Sequence, residues 1–251
     1  PLDINGGIDF SDIELDRFQG PQTLGGAGRP EGRNRFSSQR IVNSVYNGWL
    51  TYTAPQAQNE LSIVAGGSYQ LSKGTFTFND SFFPVEDPIP GSASAFLSAY
   101  TRVSYSLGEQ FDFQVSGRLD GSSRFSEKNR FGFFPAVSAG WKINNAPFFK
   151  VEEVDVLKIR ASYGLVGNAP FDDFLYRRNY FRTARYGEEL AVELENLSND
   201  DLRWESTSQF NVGFDFGFFG NRVTGAIVYY FNSSTDLLFP FPVSLTSGFA
   251  T

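Results

Sequence analysis

The sequence predicts an all-β fold, an antiparallel transmembrane β-barrel segment of about eight strands. Three observations predict it. Apolar and polar residues alternate with a period of two over repeated stretches of the chain, the period of a strand. The connections between those stretches alternate in length: short after the first, third, fifth and seventh, long after the second, fourth and sixth. No run approaches the ~18 consecutive apolar residues of a membrane helix, so any membrane crossing is made by strands.

The 251 residues suffice for one large β domain or two small ones. With 28 acidic and 21 basic residues the net charge is −7, and nothing suggests a nucleic-acid face. Aromatics reach 17%, with 28 Phe, yet the mean hydropathy is only −0.26. A barrel that shows lipid at every second residue has this balance. There is no Cys, hence no disulfide framework or thiolate site, and no His, the commonest metal ligand and general base. No cofactor or metal is expected. The chain starts at Pro1-Leu2 and carries no Met and no signal peptide, so it reads as an internal segment of a longer protein.

The first stretch, 1–40, is rich in Gly, Arg, Asp and Gln, with Gly25-Gly26-Ala27-Gly28, and shows no sustained period. It reads as a long surface loop, because a phosphate-binding loop needs a strand before it and a helix after it. The first strand is expected at 44–53, with Tyr46, Leu50 and Tyr52 on one face. Residues 54–59 turn into the second, 60–70, where Leu61, Ile63, Ala65 and Tyr69 alternate with Ser62, Gly66, Ser68 and Gln70. A long link, 71–95, holds Pro84, Pro88 and Pro90. The third strand, 96–106, sets Thr101, Val103 and Tyr105 against Arg102, Ser104 and Ser106.

The fourth and fifth strands form the hairpin around which the chain is organised, 110–141. In one arm Phe111, Phe113, Val115 and Leu119 alternate with Asp112, Gln114, Ser116 and Arg118. In the other, Pro135, Val137, Ala139 and Trp141 alternate with Phe134, Ala136, Ser138 and Gly140. The loop from Asp120 to Phe125 begins the long connection between them. A medium turn, 144–156, leads to the sixth strand, 157–166, where Leu157, Ile159, Ala161 and Tyr163 oppose Lys158, Arg160 and Ser162. The longest link, 167–203, holds a short strand at about 177–183. The seventh strand, 204–218, sets Phe210, Val212, Phe214 and Phe216 against Asn211, Gly213, Asp215 and Gly217. After a tight turn at 219–222, the eighth, 223–235, sets Val223, Ile227, Tyr229 and Phe231 against Thr224, Asn232 and Thr235. Phe239-Pro240-Phe241-Pro242 ends it, since proline donates no ladder hydrogen bond, and residues beyond read as the start of another loop.

One hairpin with an apolar and a polar face fits a soluble sandwich as well as a membrane barrel. The alternation of connection lengths separates them. A sandwich has no reason to gather every long link at one end, whereas an outer-membrane barrel has short turns on one side and long loops on the other. The apolar positions Phe111, Phe113, Val115, Ile159, Phe214, Ile227 and Tyr229 are then expected against lipid. The polar-face charges Arg102, Arg118, Lys158, Arg160, Asp112 and Asp215 are expected in the lumen, the cations pairing with Asp112 and Asp215. Tyr52, Tyr105, Trp141 and Phe216 are expected at one level as an aromatic girdle near the short turns. The carboxylate pairs Asp172-Asp173, Glu188-Glu189 and Asp200-Asp201 sit in loops and read as solvated. Adjacent carboxylates point apart, unlike the facing pair of a glycosidase, and no loop has EF-hand spacing for calcium. With no nucleophile and base in view, the chain is not expected to be an enzyme.

Six segments in order carry a family resemblance: Arg118 to Phe125 with Phe134 to Trp141; Leu157 to Gly164 with Gly167-Asn168; Leu202-Arg203-Trp204-Glu205; Asn211 to Phe216; Asn221-Arg222 with Tyr229-Tyr230; and Thr235 to Leu238. Together they resemble the barrel of SusC/RagA-type TonB-dependent outer-membrane transporters, from about Val45 to the end. The resemblance implies a 22-stranded barrel of which 44–251 is a part, with 1–43 an extracellular loop-like segment. It also implies contact with outer-membrane lipid and lipopolysaccharide, a plug domain, a TonB complex engaged through an N-terminal part not in this sequence, a SusD-like surface lipoprotein as lid, and a glycan or peptide as cargo. The alternative is a self-contained eight-stranded outer-membrane barrel or β-structured binding module without transport activity. That alternative requires the strand at 44–53 to pair along its length with the strand at 223–235.

Overall fold

The computed structural model describes all residues except 24–29, 57–58, 82–90, 171–172, 174, 179, 187–188, 195–197 and 240–251, and describes only the backbone of 2, 55–56, 80, 180–186 and 189–194. Eleven strands follow one another: β1 (Leu2–Gln19), β2 (Arg33–Gln56), β3 (Asn59–Asp80), β4 (Ala93–Leu107), β5 (Phe111–Ser122), β6 (Phe131–Lys142), β7 (Val154–Asn168), β8 (Tyr180–Tyr186), β9 (Glu189–Leu194), β10 (Glu205–Phe218) and β11 (Val223–Thr235). The helical content among the described residues is two 3-10 turns, Glu127–Asn129 and Ile143–Asn145. Nine strands form one antiparallel sheet in the order β1-β2-β3-β4-β5-β6-β7-β10-β11, and β8 and β9 form a hairpin of their own within the β7–β10 connection. β1 and β11 are the two edges. Among the described residues β2 lies between β1 and β3, so the ladder between 44–53 and 223–235 that a closed small barrel requires is not formed.

The chain divides into two compact units. One comprises 5–47 and 69–96 and holds most of β1, the first part of β2, the second part of β3 and the start of β4. There Arg40 donates to Asp12 at 2.7 Å, Asn47 to Asn5 at 3.0 Å, and the amide of Gly74 to the carbonyl of Ser92 at 2.7 Å. The other comprises 1–4, 48–68 and 97–251 and holds β5, β6, β7, β10 and β11 whole.

Three expectations are corrected. The stretch 1–43 is a strand and the start of another, β1 and β2, not a loop. Leu2, Ile4, Ile8 and Phe10 do alternate, but the phase slips after Ser11, so that Ile13 and Leu15 continue on the other parity. Gly6 and Gly7 thin the signal further. The link expected at 71–95 is strand to Asp80, and pairing resumes at Ala93. Strands of 22 and 24 residues exceed the ~9–11 that cross a bilayer, so ladders continue beyond any membrane. For the same reason connection length is a weaker guide than it looks in sequence. The loop at 123–130 is shorter than the connection at 143–153 on the opposite end, because β5 and β6 stay paired out to Gly121 and Phe131.

The registers of β5, β6, β7, β10 and β11 show how the faces sort. Cross-strand partners share a face. One row reads Val115, Val137, Tyr163, Phe210, Phe231; the next below it reads Phe113, Ala139, Ala161, Val212, Tyr229; the next reads Phe111, Trp141, Ile159, Phe214, Ile227. The opposite face offers Gln114, Ser138, Ser162, Asn211, Tyr230, then Asp112, Gly140, Arg160, Gly213, Val228. Edge strand β11 sorts less cleanly, since Val228 and Tyr230 fall on the polar face and Thr235 on the apolar parity. The apolar face is uncovered: Val115 is 60% exposed and Ile227 66%. An open apolar sheet face of this extent marks contact with a nonaqueous partner. The belt also climbs. On β10 and β11 it spans 210–218 and 223–231, then gives way to Ser208 and Ser233. On β5 and β6 it continues past that level through Leu119 and Phe133. A level band on strands tilted by about 35–45° produces this slant.

Arginine at Val137, in mid-belt, is therefore expected to destabilise the full-length protein in phospholipid vesicles by about 2–4 kcal/mol, while arginine at its neighbour Ser138 costs far less. Urea unfolding of both variants in the same vesicles measures the difference; equal losses would show that the two faces are not distinct.

Candidate functional site: the charged face and the loop-end cluster

The charges on the polar face are arranged by register. Lys142 pairs directly with Lys158, a like-charge opposition that is unfavourable by itself. Asp112 resolves it. It accepts from Lys142 Nζ at 3.1 Å, from Lys158 Nζ at 3.2 Å and from the Ser106 hydroxyl at 3.1 Å. Beside them Arg160 grips Asp215 in a fork, at 3.0 and 3.4 Å. Glycines make room for these long side chains. A Cβ at Gly140 would lie 3.1 Å from Lys158 Cε, and one at Gly213 would lie 2.7 Å from the Arg160 guanidinium carbon. Towards the loops the face turns neutral, with Gln114, Ser138, Ser162, Gln209 and Asn211 around an open depression that reaches down to Asp112, Lys158 and Arg160. Hydroxyls and amides above a charged rim can hydrogen-bond polar solutes, and no nucleophile–base pair stands among them.

Four of the six sequence-predicted residues come together as expected: Lys158 with Asp112, Arg160 with Asp215. Arg118 does not join them. Four to six residues further along β5, its Nε donates to both carboxylate oxygens of Asp120, at 2.7 and 2.9 Å, and its Nη2 donates to the Ser98 hydroxyl at 2.8 Å, with the guanidinium 6.0 Å from the centre of the Tyr100 ring. Asp120 and Ser98 are both buried. Arg102 stands exposed on the same parity as Ser104 and Ser106, with no ion pair among the described residues. Sequence reading missed Lys142 and Asp120. Both carried a signal: each sits on the charged parity of its strand, Lys142 level with Lys158 and Asp120 two places from Arg118.

The second feature is a small core outside the strands' apolar belt. Phe125, at 0% exposure, packs on Trp204 with ring centroids 4.8 Å apart, and Phe134 meets Trp204 edge-on at 5.6 Å. Gly167 lies under the Phe134 ring, and any Cβ there would overlap it. The Trp204 indole N–H donates to the Arg130 carbonyl at 3.3 Å. Polar ties lock the two loops around this core: the Ser126 hydroxyl to the Asp200 carbonyl at 2.7 Å, Lys128 to Asp201 at 3.1 Å, Arg124 to Asp173 at 2.8 Å, and Asn168 to Glu205 at 3.1 Å. Lys128 holds the Asp201 carboxyl below the usual carboxylate range, so this tie is present at neutral pH and fades as acid protonates the carboxylate. Asp173 thus sits in an ion pair and is not simply solvated, a correction to the loop reading of Asp172-Asp173. Asp172 and Glu188 lie outside the described residues, as does the side chain of Glu189. No cluster of three potential metal ligands occurs among the described residues.

The residues gathered here, from Arg118, Asp120, Phe125, Phe134, Gly167, Asn168 and Trp204 to Glu205, are those of the motif segments. The fold and this placement define a class, and comparison with known proteins agrees. Residues 2–251 match the family model of the TonB dependent receptor-like β-barrel, and the chain belongs to that family. Within it the chain is of the SusC/RagA type. It is 31% identical over 82% of its length to TonB-dependent receptor SusC of Bacteroides thetaiotaomicron, and 30% identical over 96% to TonB-dependent receptor P3 of Formosa agariphila. It spans 22% and 26% of those relatives' lengths. All of it superposes on 30% of a chain in the structure of the RagAB peptide transporter, with a TM-score of 0.87 at 23% identity, which shows a shared fold. The match to the siderophore receptor PirA of Pseudomonas aeruginosa is looser, with a TM-score of 0.52.

Two outcomes follow from these contacts. Phe125→Ala should cost about 3–5 kcal/mol of local stability, as large-to-small changes of buried aromatics do. Limited proteolysis of the intact protein should then cut near 123–130 and 198–204 at sites protected in the wild type. Asp112→Asn should lower stability by about 1 kcal/mol, by leaving Lys142 and Lys158 opposed in a half-exposed site. Adding Lys142→Gln should recover part of that loss, and a double-mutant cycle on unfolding midpoints reads the coupling.

Proposed function

We propose that this chain forms part of an outer-membrane TonB-dependent transporter that imports a nutrient, a glycan or a peptide. The observation that carries the reading is a sheet with one uncovered apolar face and one charged, internally paired face, whose edge strands β1 and β11 have no outer partner among the described residues. In lipid an open edge leaves backbone groups without partners, so further strands must complete it. About 22 strands enclose a plugged lumen, whereas eight leave room only for side chains. In this reading the apolar belt meets lipid and lipopolysaccharide, and Arg102, Arg118, Lys158, Arg160, Asp112 and Asp215 border the lumen. A plug domain fills the lumen, a TonB complex supplies energy, and a SusD-like lipoprotein closes the loop end. A structural neighbour is the RagAB peptide transporter, which supports a peptide as cargo; a glycan is what the resemblance to SusC-type transporters implies.

The test is made in the native cell. The tagged protein should fractionate with the outer membrane and bring a surface lipoprotein with it from detergent extracts. Deleting its gene should abolish growth on one class of oligosaccharide or peptide as sole source. Recovery in the soluble fraction, or unchanged growth across both classes, would sink the proposal.

A further inference from the structure

The connection from β7 to β10 leaves the sheet at Asn168 and rejoins it at Glu205, and these two residues are cross-strand partners. Between them lies the β8–β9 hairpin, a sheet of its own, paired from Tyr180–Leu194 to Tyr186–Glu189. A two-stranded hairpin standing alone is marginal in water. Every residue of such an excursion that is left unpinned keeps conformational entropy that order must offset. The order of this hairpin therefore depends on what holds its two roots.

The short loop at 123–130 holds both. On the root leading out of β7, Arg124 Nε donates to Asp173 at 2.8 Å and its Nη1 to the Ala169 carbonyl at 3.4 Å. The Asp173 side chain is only 11% exposed, so this pair is drier than an ordinary surface pair. On the root returning to β10, the Ser126 hydroxyl and the Asn129 side-chain amide both donate to the Asp200 carbonyl, at 2.7 and 3.4 Å. Glu205, itself buried, fastens the base: one carboxylate oxygen accepts from Asn168 at 3.1 Å and the other from the Leu238 amide at 2.8 Å. The loop is also braced within itself. The Ser122 amide donates to the Arg130 carbonyl at 3.1 Å, the Arg124 amide to the Ser122 hydroxyl at 3.3 Å, and the Asn129 amide to the Ser126 carbonyl at 3.2 Å. Covering the Phe125–Trp204 core requires the returning root alone. The reach of Arg124 to Ala169 and Asp173 serves the other.

We propose that the 123–130 loop is a bracket that fixes the neck of the β7–β10 connection and so presents the β8–β9 hairpin as a preset arm, with Arg124 the positioning residue on one root and Ser126 on the other. Neither residue belongs to the hairpin, and each acts on it through a root. An arm held at one root can swing, and one held at both is restrained in direction. A preset arm meets a partner without the ordering cost that a loose loop incurs at contact. The bracket joins segments of this chain alone, so it is independent of the cargo and of the transporter reading.

Hydrogen exchange read by mass spectrometry on the full-length protein in phospholipid vesicles tests it. Arg124→Gln releases the outgoing root and Ser126→Ala the returning one. Both leave Phe125 and Trp204 in place, so the fold should stand. Exchange across 180–194 should rise roughly tenfold in Arg124→Gln and roughly fivefold in Ser126→Ala, the scales of a charged and a neutral hydrogen bond. Residues 111–121 and 157–166 should exchange as in the wild type. Loosening confined to the root nearest each substitution, with 180–194 unchanged, would overturn the bracket. Equal loosening of the strands would overturn it too, by making both residues general stabilisers. Arg124→Asp should loosen the hairpin as Arg124→Gln does, and adding Asp173→Arg should restore part of the protection; no recovery would overturn the assignment of Arg124.

Discussion

The constraint on which everything else depends is backbone pairing. Where a sheet face meets lipid, no water completes an unpaired N–H or C=O, and every such group must find its partner in the ladder. Pairing fixes register, and register fixes which side chains share a face. The rows running from β5 to β11 are the direct result. A slip of one residue between β7 and β10 would turn Lys158 and Arg160 to the apolar side, since side chains alternate with a period of two. The hydrophobic pattern therefore enforces one register, and the charges on the other face inherit their positions from it.

Those charges are placed more than they are stabilising. Half-exposed ion pairs contribute little, typically under about 1 kcal/mol. What they accomplish is arrangement: Asp112 makes tolerable an opposition of two lysines that register imposes, and Gly140 and Gly213 let Lys158 and Arg160 lie across the sheet. The loop end works differently. There Phe125 is fully buried and Trp204 nearly so, and apolar burial, not ion pairing, holds the two loops together. The ties from Arg124, Ser126 and Lys128 set which loop segments meet.

Most of the fold was legible in the sequence, because a two-faced sheet writes its period into the chain. β4, β5, β6, β7, β10 and β11 lie within a few residues of their expected spans. β1 was not legible, since an edge strand pairs on one side only and tolerates the phase slip at Ser11 and Asp12 that hides its alternation. The upper half of β3 was missed because Ser72, Lys73 and Gly74 interrupt the apolar positions before Phe76 and Phe78 resume them. Of the charged face, Lys158–Asp112 and Arg160–Asp215 were readable as same-parity neighbours. The partner of Arg118 was not, because parity names a face and leaves the height along it open. The Phe125–Trp204 contact joins residues nearly eighty apart, through loops with no period at all. Periodicity carries no information about such a contact, although the motif segments that supply it stood out individually.

The two ends of the strands are thus built under different rules. At the short-turn end the β4–β5 and β10–β11 connections reverse within a few residues, so backbone geometry decides there: Gly108 and Glu109 both take positive φ between β4 and β5, as do Phe219, Gly220 and Asn221 between β10 and β11. Side chains there have little freedom except to project along the belt, and Phe219 does so at the cost of an unfavourable φ. At the loop end the chain leaves the apolar belt and is released from the need to present an apolar face. Polar ties become affordable, and Asp120, Ser122 and Ser126 are buried among them. A buried serine or aspartate is tolerable only when hydrogen-bonded. Each of these three meets a partner from this cluster: Arg118 for Asp120, the Arg124 amide for Ser122, the Asp200 carbonyl for Ser126. The charged face between the two ends shares both characters, with its register imposed from below by the belt and its upper limit set by the cluster into which Arg118 reaches.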